Sequence, residues 1–180
     1  MDGQIDLNLI IERAGVKPGM TVAEFGCGNG YLSRLLARTV TNSGIVYAVD
    51  VMKESLENLN KLCNLEGIQN VKTIWSDLEI YGATNIADEI VDIGFIINTF
   101  FQTNKEKDFL EEVIRMIKSG GKIIVVDWLD EAVSIIAPKK EDRTGVEKLK
   151  KICSNFKNIK IEEIFSVGKD HYGAIIVKNK

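Results

Sequence analysis

Apolar residues in this chain recur in two rhythms, and the change from one to the other divides it into elements. Segments that are apolar almost throughout, at 20–25, 44–50, 71–75, 90–98 and 122–127, read as strands covered on both faces. Between them, apolar residues three and four apart mark helices. Leu32, Leu35 and Leu36 place one over 31–40, and Leu56, Leu59, Leu62 and Cys63 place another over 52–66, with Gly67 as its C-terminal cap. A further helix over 106–118 is stopped by Gly120-Gly121. Ahead of the first strand, Ile5, Leu7, Leu9, Ile10 and Ile11 form a short amphipathic helix that must end before Pro18. The last quarter reads as a helix over 142–156, its first turn weakened by Gly145, and then two strands at 159–167 and 172–178. The link Gly168-Lys169-Asp170 is too short to hold a crossover helix, so these two strands pair antiparallel.

One junction carries more information than the rest. The first strand ends in Glu24-Phe25, then glycine recurs at 26, 28 and 30, and a helix begins at once. Glycine lets a ligand approach the main chain closely, and the free N–H groups of a helix start favour a carboxylate or phosphate. A dinucleotide fingerprint, G-x-G-x-x-G, needs a small third residue where helix meets strand. Counted from Gly26, that position is Tyr31, which is too large.

The pattern Glu24-x-Gly26-x-Gly28-x-Gly30 instead resembles motif I of the class I S-adenosylmethionine-dependent methyltransferases. Further marks match at that family's spacing: Asp50 ends the second strand, Ser76-Asp77 follows the third, and Asn98 ends the fourth. Lys118-Ser119-Gly120-Gly121-Lys122 resembles the family's K-P-G-G turn, with serine for proline. The resemblance covers nearly the whole chain. It implies an α/β fold: one Rossmann-like, three-layer αβα domain over 1–180, with 1–19 as helix and lead-in and 20–180 as core. Its seven-stranded sheet is mostly parallel, with one antiparallel strand from the C-terminal hairpin. The Val126-Asp127-Trp128 ending and the small size look most like compact members of the ubiquinone/menaquinone-biosynthesis type.

The resemblance implies S-adenosylmethionine as cofactor. Gly26, Cys27, Gly28 and Gly30 then carry its methionine half on backbone, and Glu24 accepts from its ammonium. Asp50 accepts from both ribose hydroxyls, as the acid in a dinucleotide site does. Val51 and Met52 wall the adenine, Asp77 takes its exocyclic amine with Leu78 beside it, and Asn98 completes the set. Methyl transfer from a sulfonium is an in-line displacement that mainly needs alignment and exclusion of water, so no catalytic group has to show itself. Asp127, at a strand's carboxyl end, is the leading candidate base. His171, the one histidine, is expected in an exposed turn on the same edge. Asn98 to Gln102 and Asp127, Trp128 and Asp130 are candidate walls for the acceptor, and the N-terminal helix is a candidate lid.

Composition narrows the partners. Net charge −3 and a pI near 5.4 argue against a broad nucleic-acid face. Lys139, Lys140 and Arg143, or Lys148, Lys150 and Lys151, read as solvated helix faces. No apolar stretch reaches membrane-spanning length, and the N-terminus lacks a signal-peptide profile. Three scattered cysteines show no metal spacing and suit a reducing cytoplasm. The expectation is a cytoplasmic, metal-free enzyme with a small-molecule acceptor, its pocket closed by the N-terminal helix or a second copy of the chain. RNA or protein methylation, a nicotinamide-binding oxidoreductase and a non-catalytic subunit of the same fold are the competing readings.

Overall fold

The computed structural model describes residues 5–179. Its sheet contains β1 (Thr21–Phe25), β2 (Ile45–Asp50), β3 (Val71–Trp75), β4 (Val91–Ile97), β5 (Ile117–Trp128), β6 (Ile159–Val167) and β7 (His171–Lys178), in the order β3-β2-β1-β4-β5-β7-β6. The first five strands pair parallel, and β7 runs antiparallel to both β5 and β6. Helices α1 (Leu7–Ala14), α2 (Tyr31–Val40) and α3 (Lys53–Leu65) cover one face of the sheet, while α4 (Glu106–Met116) and α5 (Val146–Cys153) cover the other. This is the Rossmann-like α/β architecture with a C-terminal hairpin that the family resemblance implies.

The continuous apolar strands follow from that double cover. On one face Ile10, Leu36, Val46, Phe95 and Ile124 pack into one cluster; on the other Phe25, Leu110, Val125 and Ile176 pack into a second. Alternate residues of each central strand therefore enter different cores. The chain leaves β1 toward β2 and β3, then returns to the opposite side of β1 as β4. That reversal opens a crevice outside the carboxyl ends of β1 and β4.

Three boundaries differ from the sequence-based expectation, each for a local reason. The chain crosses from β3 to β4 without a helix, where the family resemblance implies a repeat of strand and helix. Buried Glu112 accepts from the N–H of Gly82 (2.7 Å) and Thr84 (3.0 Å), and Arg115 donates to the carbonyls of Thr84 and Ile86. These side chains satisfy the backbone groups a helix would have paired. Helix α4 stops at Met116 rather than 118, because buried Ile117 already pairs with Val91 and the strand runs on past a register shift. Helix α5 begins at Val146 rather than 142. A Cβ on Gly145 would lie 2.3 Å from the Asp130 carboxylate, so the chain turns there, and the 3-10 turn Lys140–Asp142 precedes it.

Candidate functional site

The turn after β1 is tied to the end of β2. The N–H groups of Gly26 and Cys27 both donate to the Val49 carbonyl, at 2.8 and 3.0 Å. The Gly28 N–H donates to Asp50 Oδ2, and the Met52 N–H to Asp50 Oδ1, each at 2.8 Å. Asp50 thus fixes the glycine turn and the approach to α3 together, with each carboxylate oxygen keeping a further lone pair. The glycines serve different ends. A Cβ on Gly30 (φ +68°) would fall 2.4 Å from Leu59 Cδ1, so this residue is small to let α2 lie on α3. A Cβ on Gly28 (φ +48°) would meet nothing within 4 Å and would project into open space.

That space is a cleft in two parts that share Gly26 and Gly28. The smaller, about 260 Å³, lies beside Asp50, Val51, Met52, Ser76, Asp77 and Leu78, and extends to Thr99, Thr103 and Phe109. Val51 and Met52 are more than half exposed, while Leu78 is buried under them. Asp77 Oδ1 accepts from the Glu79 N–H at 2.9 Å, which shapes the turn after β3. Glu79 in turn accepts from the Thr103 hydroxyl and pairs with Lys105 at 3.4 Å.

The larger part, about 850 Å³, is walled by Glu24, Cys27, Asn98, Gln102, Trp128 and His171, with Leu7 of α1, Tyr31 of α2 and Ile136 on its apolar sides. Glu24 is buried and accepts from the Ser33 hydroxyl at the start of α2. Burial pushes its carboxyl up to about 8, against the lowering effect of Ser33 and with a smaller push from Asp50. Burial, together with Glu24 and Asp50, also pushes the Cys27 thiol up, which keeps it from acting as a thiolate nucleophile. Asn98 holds a left-handed backbone (φ +51°) at the end of β4, and its buried Oδ1 has no hydrogen-bond partner. None of the described residues lining either part is Lys or Arg, whereas Glu24, Asp50, Asp77 and Glu79 all are lining residues. The cleft is therefore built for a ligand that carries positive charge.

The structure brings together most of the residues the sequence singles out. Glu24, Gly26, Cys27, Gly28, Asp50, Val51, Met52, Asp77, Leu78 and Asn98 all line the cleft. Gly30 does not; it belongs to the α2–α3 contact. Asp127 lies on the far face of the sheet, fully buried and outside both parts of the cleft. It accepts from the Trp128 N–H at 2.8 Å, and burial pushes it up to about 7. Its neighbour Trp128 faces the cleft instead, since consecutive residues of a strand point to opposite faces. His171 is not an exposed turn residue: it opens β7, is 2% exposed, and packs on Trp128 with ring centroids 4.0 Å apart. Of the expected acceptor walls, Phe100 is buried in the core against Phe109, while Thr99, Gln102 and Trp128 reach the cleft. Leu7 brings α1 to the cleft as a lid would. Glu79, two residues from Asp77, escapes the sequence reading, while Ser76, read there only as a mark beside Asp77, also joins the lining. Thr103, Phe109 and Ile136 carry no sequence signal at all.

Residues 16–179 match the family described as Methyltransferase domain. The ubiquinone/menaquinone biosynthesis C-methyltransferase UbiE of Hydrogenovibrio crunogenus is 31% identical over 120 residues, 66% of this chain and 46% of that protein. The chain thus spans less than half the length of the curated relatives it matches. A crystal structure of a SAM-dependent methyltransferase from Aquifex aeolicus superposes with a TM-score of 0.87 at 27% identity, covering 97% of this chain and 90% of that one. A SAM-dependent O-methyltransferase from Thermotoga maritima shares the fold, with a TM-score of 0.69 at 19% identity over 97% of this chain and 65% of its own.

Proposed function

This chain belongs to the class I S-adenosylmethionine-dependent methyltransferase family, and on that ground we propose that it moves a methyl group from S-adenosylmethionine to a small-molecule acceptor bound in the larger part of the cleft. The observation that carries the reading is the acidic lining. The cofactor bears a sulfonium and an ammonium, and the cleft offers Glu24, Asp50 and Asp77 with no lining Lys or Arg among the described residues. A dinucleotide brings a doubly charged pyrophosphate, which such a wall would repel. The open space at Gly28 and the unpartnered Asn98 Oδ1 are further features that a bound amino acid would fill and satisfy.

In this reading Glu24 and Asn98 would receive the ammonium end, over the backbone of Gly26, Cys27 and Gly28. Asp50 would hold the ribose, and Val51, Met52 and Leu78 the adenine, with Asp77 at its amine. When bound, the cofactor supplies an electrophilic methyl carbon whose leaving group is a neutral thioether. The protein's share is positional. Asp50, anchored by two backbone N–H groups, ties the glycine turn to the approach of α3, and α1 brings Leu7 to the wall of the larger part. Neither Cys27, held as a thiol, nor Asp127, on the far face of the sheet, is placed to attack or to take a proton in the cleft.

Incubation with methyl-labelled S-adenosylmethionine and separated cell fractions tests the acceptor class. Label is expected in the small-molecule fraction. Label confined to RNA or to protein would refute the small-molecule reading while leaving the cofactor assignment intact.

A further inference from the structure

We propose that His171 and Trp128 form the acceptor subsite of this cleft, and that it takes an uncharged, flat molecule whose nucleophilic atom carries a proton. The inference rests on the cofactor reading above, because it concerns the part of the larger cavity that the cofactor-holding residues leave free. Trp128 ends β5 and His171 begins β7, and the two are direct partners in the antiparallel register. Their rings pack with centroids 4.0 Å apart and planes tilted by 39°, and both residues line the cavity together with Leu7, Ile97 and Ile136.

Three nitrogen atoms of this pair, Trp128 Nε1 and both His171 ring nitrogens, are buried without any hydrogen-bond partner. Buried polar groups are nearly always paired, so two adjacent unpaired side chains of residues that line one cavity point to a ligand that completes them once a ring turns to bring its nitrogen to the cavity surface. The indole N–H can only donate, whereas a neutral imidazole donates from one nitrogen and accepts at the other. Burial lowers the imidazole's affinity for a proton and keeps it neutral near pH 7, against the opposing pull of Asp170 beside it in the hairpin turn. Asp170 itself accepts from the Val133 N–H at 2.8 Å. The same cavity is also lined by Glu24 of β1, which in this reading is taken up with the cofactor's ammonium, and by Tyr31 of α2.

This lining selects the ligand. Aromatic rings beside aliphatic side chains favour a planar, apolar body. No described lining residue is Lys or Arg, so beyond the carboxylate that the cofactor itself brings nothing here is placed to pair with a second anionic group. An X–H group fits the free imidazole nitrogen: the X–H bond breaks, its electron pair stays on X, and the proton passes to the ring to give an imidazolium.

His171 is the one histidine in the chain, so its imidazole resonances in an NMR spectrum are unambiguous. Trp75 and Trp128 are the two tryptophans, and Trp75→Phe leaves Trp128 as the sole emitter. Protein saturated with S-adenosylhomocysteine is titrated at about pH 6 with the neutral flat hydroxyl probes umbelliferone and resorcinol, and with benzoate. At least one neutral probe is expected to shift the His171 resonances and quench Trp128, benzoate to do neither. His171→Phe is expected to weaken that probe's binding about tenfold or more while S-adenosylhomocysteine binds as before. Failure of both neutral probes to bind, binding that leaves the His171 signals unmoved, or equal binding of benzoate overturns the inference. Protein that does not bind S-adenosylhomocysteine at all overturns the cofactor reading, and this inference with it.

Discussion

Glu24 should make cofactor affinity depend on pH. Its carboxyl is buried against α2 and pushed up to about 8, so in the free protein it is mostly protonated at neutral pH. An ammonium placed beside it favours the carboxylate, and binding must therefore expel the proton. At about pH 6 only about 1% of Glu24 is ionised, and at about pH 8 about half is. The ligand's own amino group stays charged through most of that range. Affinity for S-adenosylhomocysteine should thus rise about 50-fold from about pH 6 to about pH 8, or about 2 kcal/mol, and then level off. Isothermal calorimetry reads both parts of the effect. Near pH 6.5 about one proton should be released per ligand bound, so the measured enthalpy should change with the ionisation enthalpy of the buffer. Glu24→Gln, neutral at every pH, should bind weakly and without the rise. A wild-type affinity that stays flat across this range with no proton release would refute the reasoning, as would a rise that survives in Glu24→Gln.

The other predictions separate binding from folding. Asp50→Ala removes the acceptor of two charge-assisted backbone hydrogen bonds as well as the proposed ribose contact. It should lower stability by about 3 kcal/mol and the Tm by about 6–12 °C, in addition to abolishing S-adenosylhomocysteine binding; unchanged affinity in calorimetry would remove the ribose role. Gly28→Ala should weaken the ligand more than tenfold at a folding cost of about 1–2 kcal/mol, because its Cβ enters open space. Gly30→Ala should unfold at markedly lower denaturant, because its Cβ meets Leu59, and Leu59→Ala in the same chain should recover part of the loss. Stability itself should fall as pH rises. Folding raises Asp127 from an ordinary 3.8 to about 7, so the native state holds the proton that the unfolded chain gives up between those values. That contribution is present in full below about pH 4 and is lost by about pH 7, and urea midpoints should show the decline in wild type but a shallower one in Asp127→Asn.

Much of this architecture is written in local pattern. Helix α2 falls at 31–40 as its leucine spacing indicates, and Gly67 supplies the left-handed residue after α3. The hairpin follows from a link too short for anything else. What the chain does not reveal depends on contacts between distant segments. Gly145 ends up against Asp130, and Glu112 with Arg115 replaces a helix between β3 and β4; neither pairing has a local signature. The same limit decides the chemistry of the cleft. Asp127 and Trp128 are adjacent in a strand buried on both sides, so only one can face the crevice, and hydrophobicity cannot say which. His171 looks like a turn residue until its register opposite Trp128 buries it. The glycine motif is legible, yet nothing local shows that its third glycine must also be small to clear Leu59 of α3.

The central claim is that the acidic crevice around Gly28 takes S-adenosylmethionine. Calorimetric titration of one preparation with S-adenosylhomocysteine and, separately, with NADH tests it most directly. One S-adenosylhomocysteine per chain and no heat from NADH is the predicted result. Binding of NADH in its place, or of neither compound, would contradict the account.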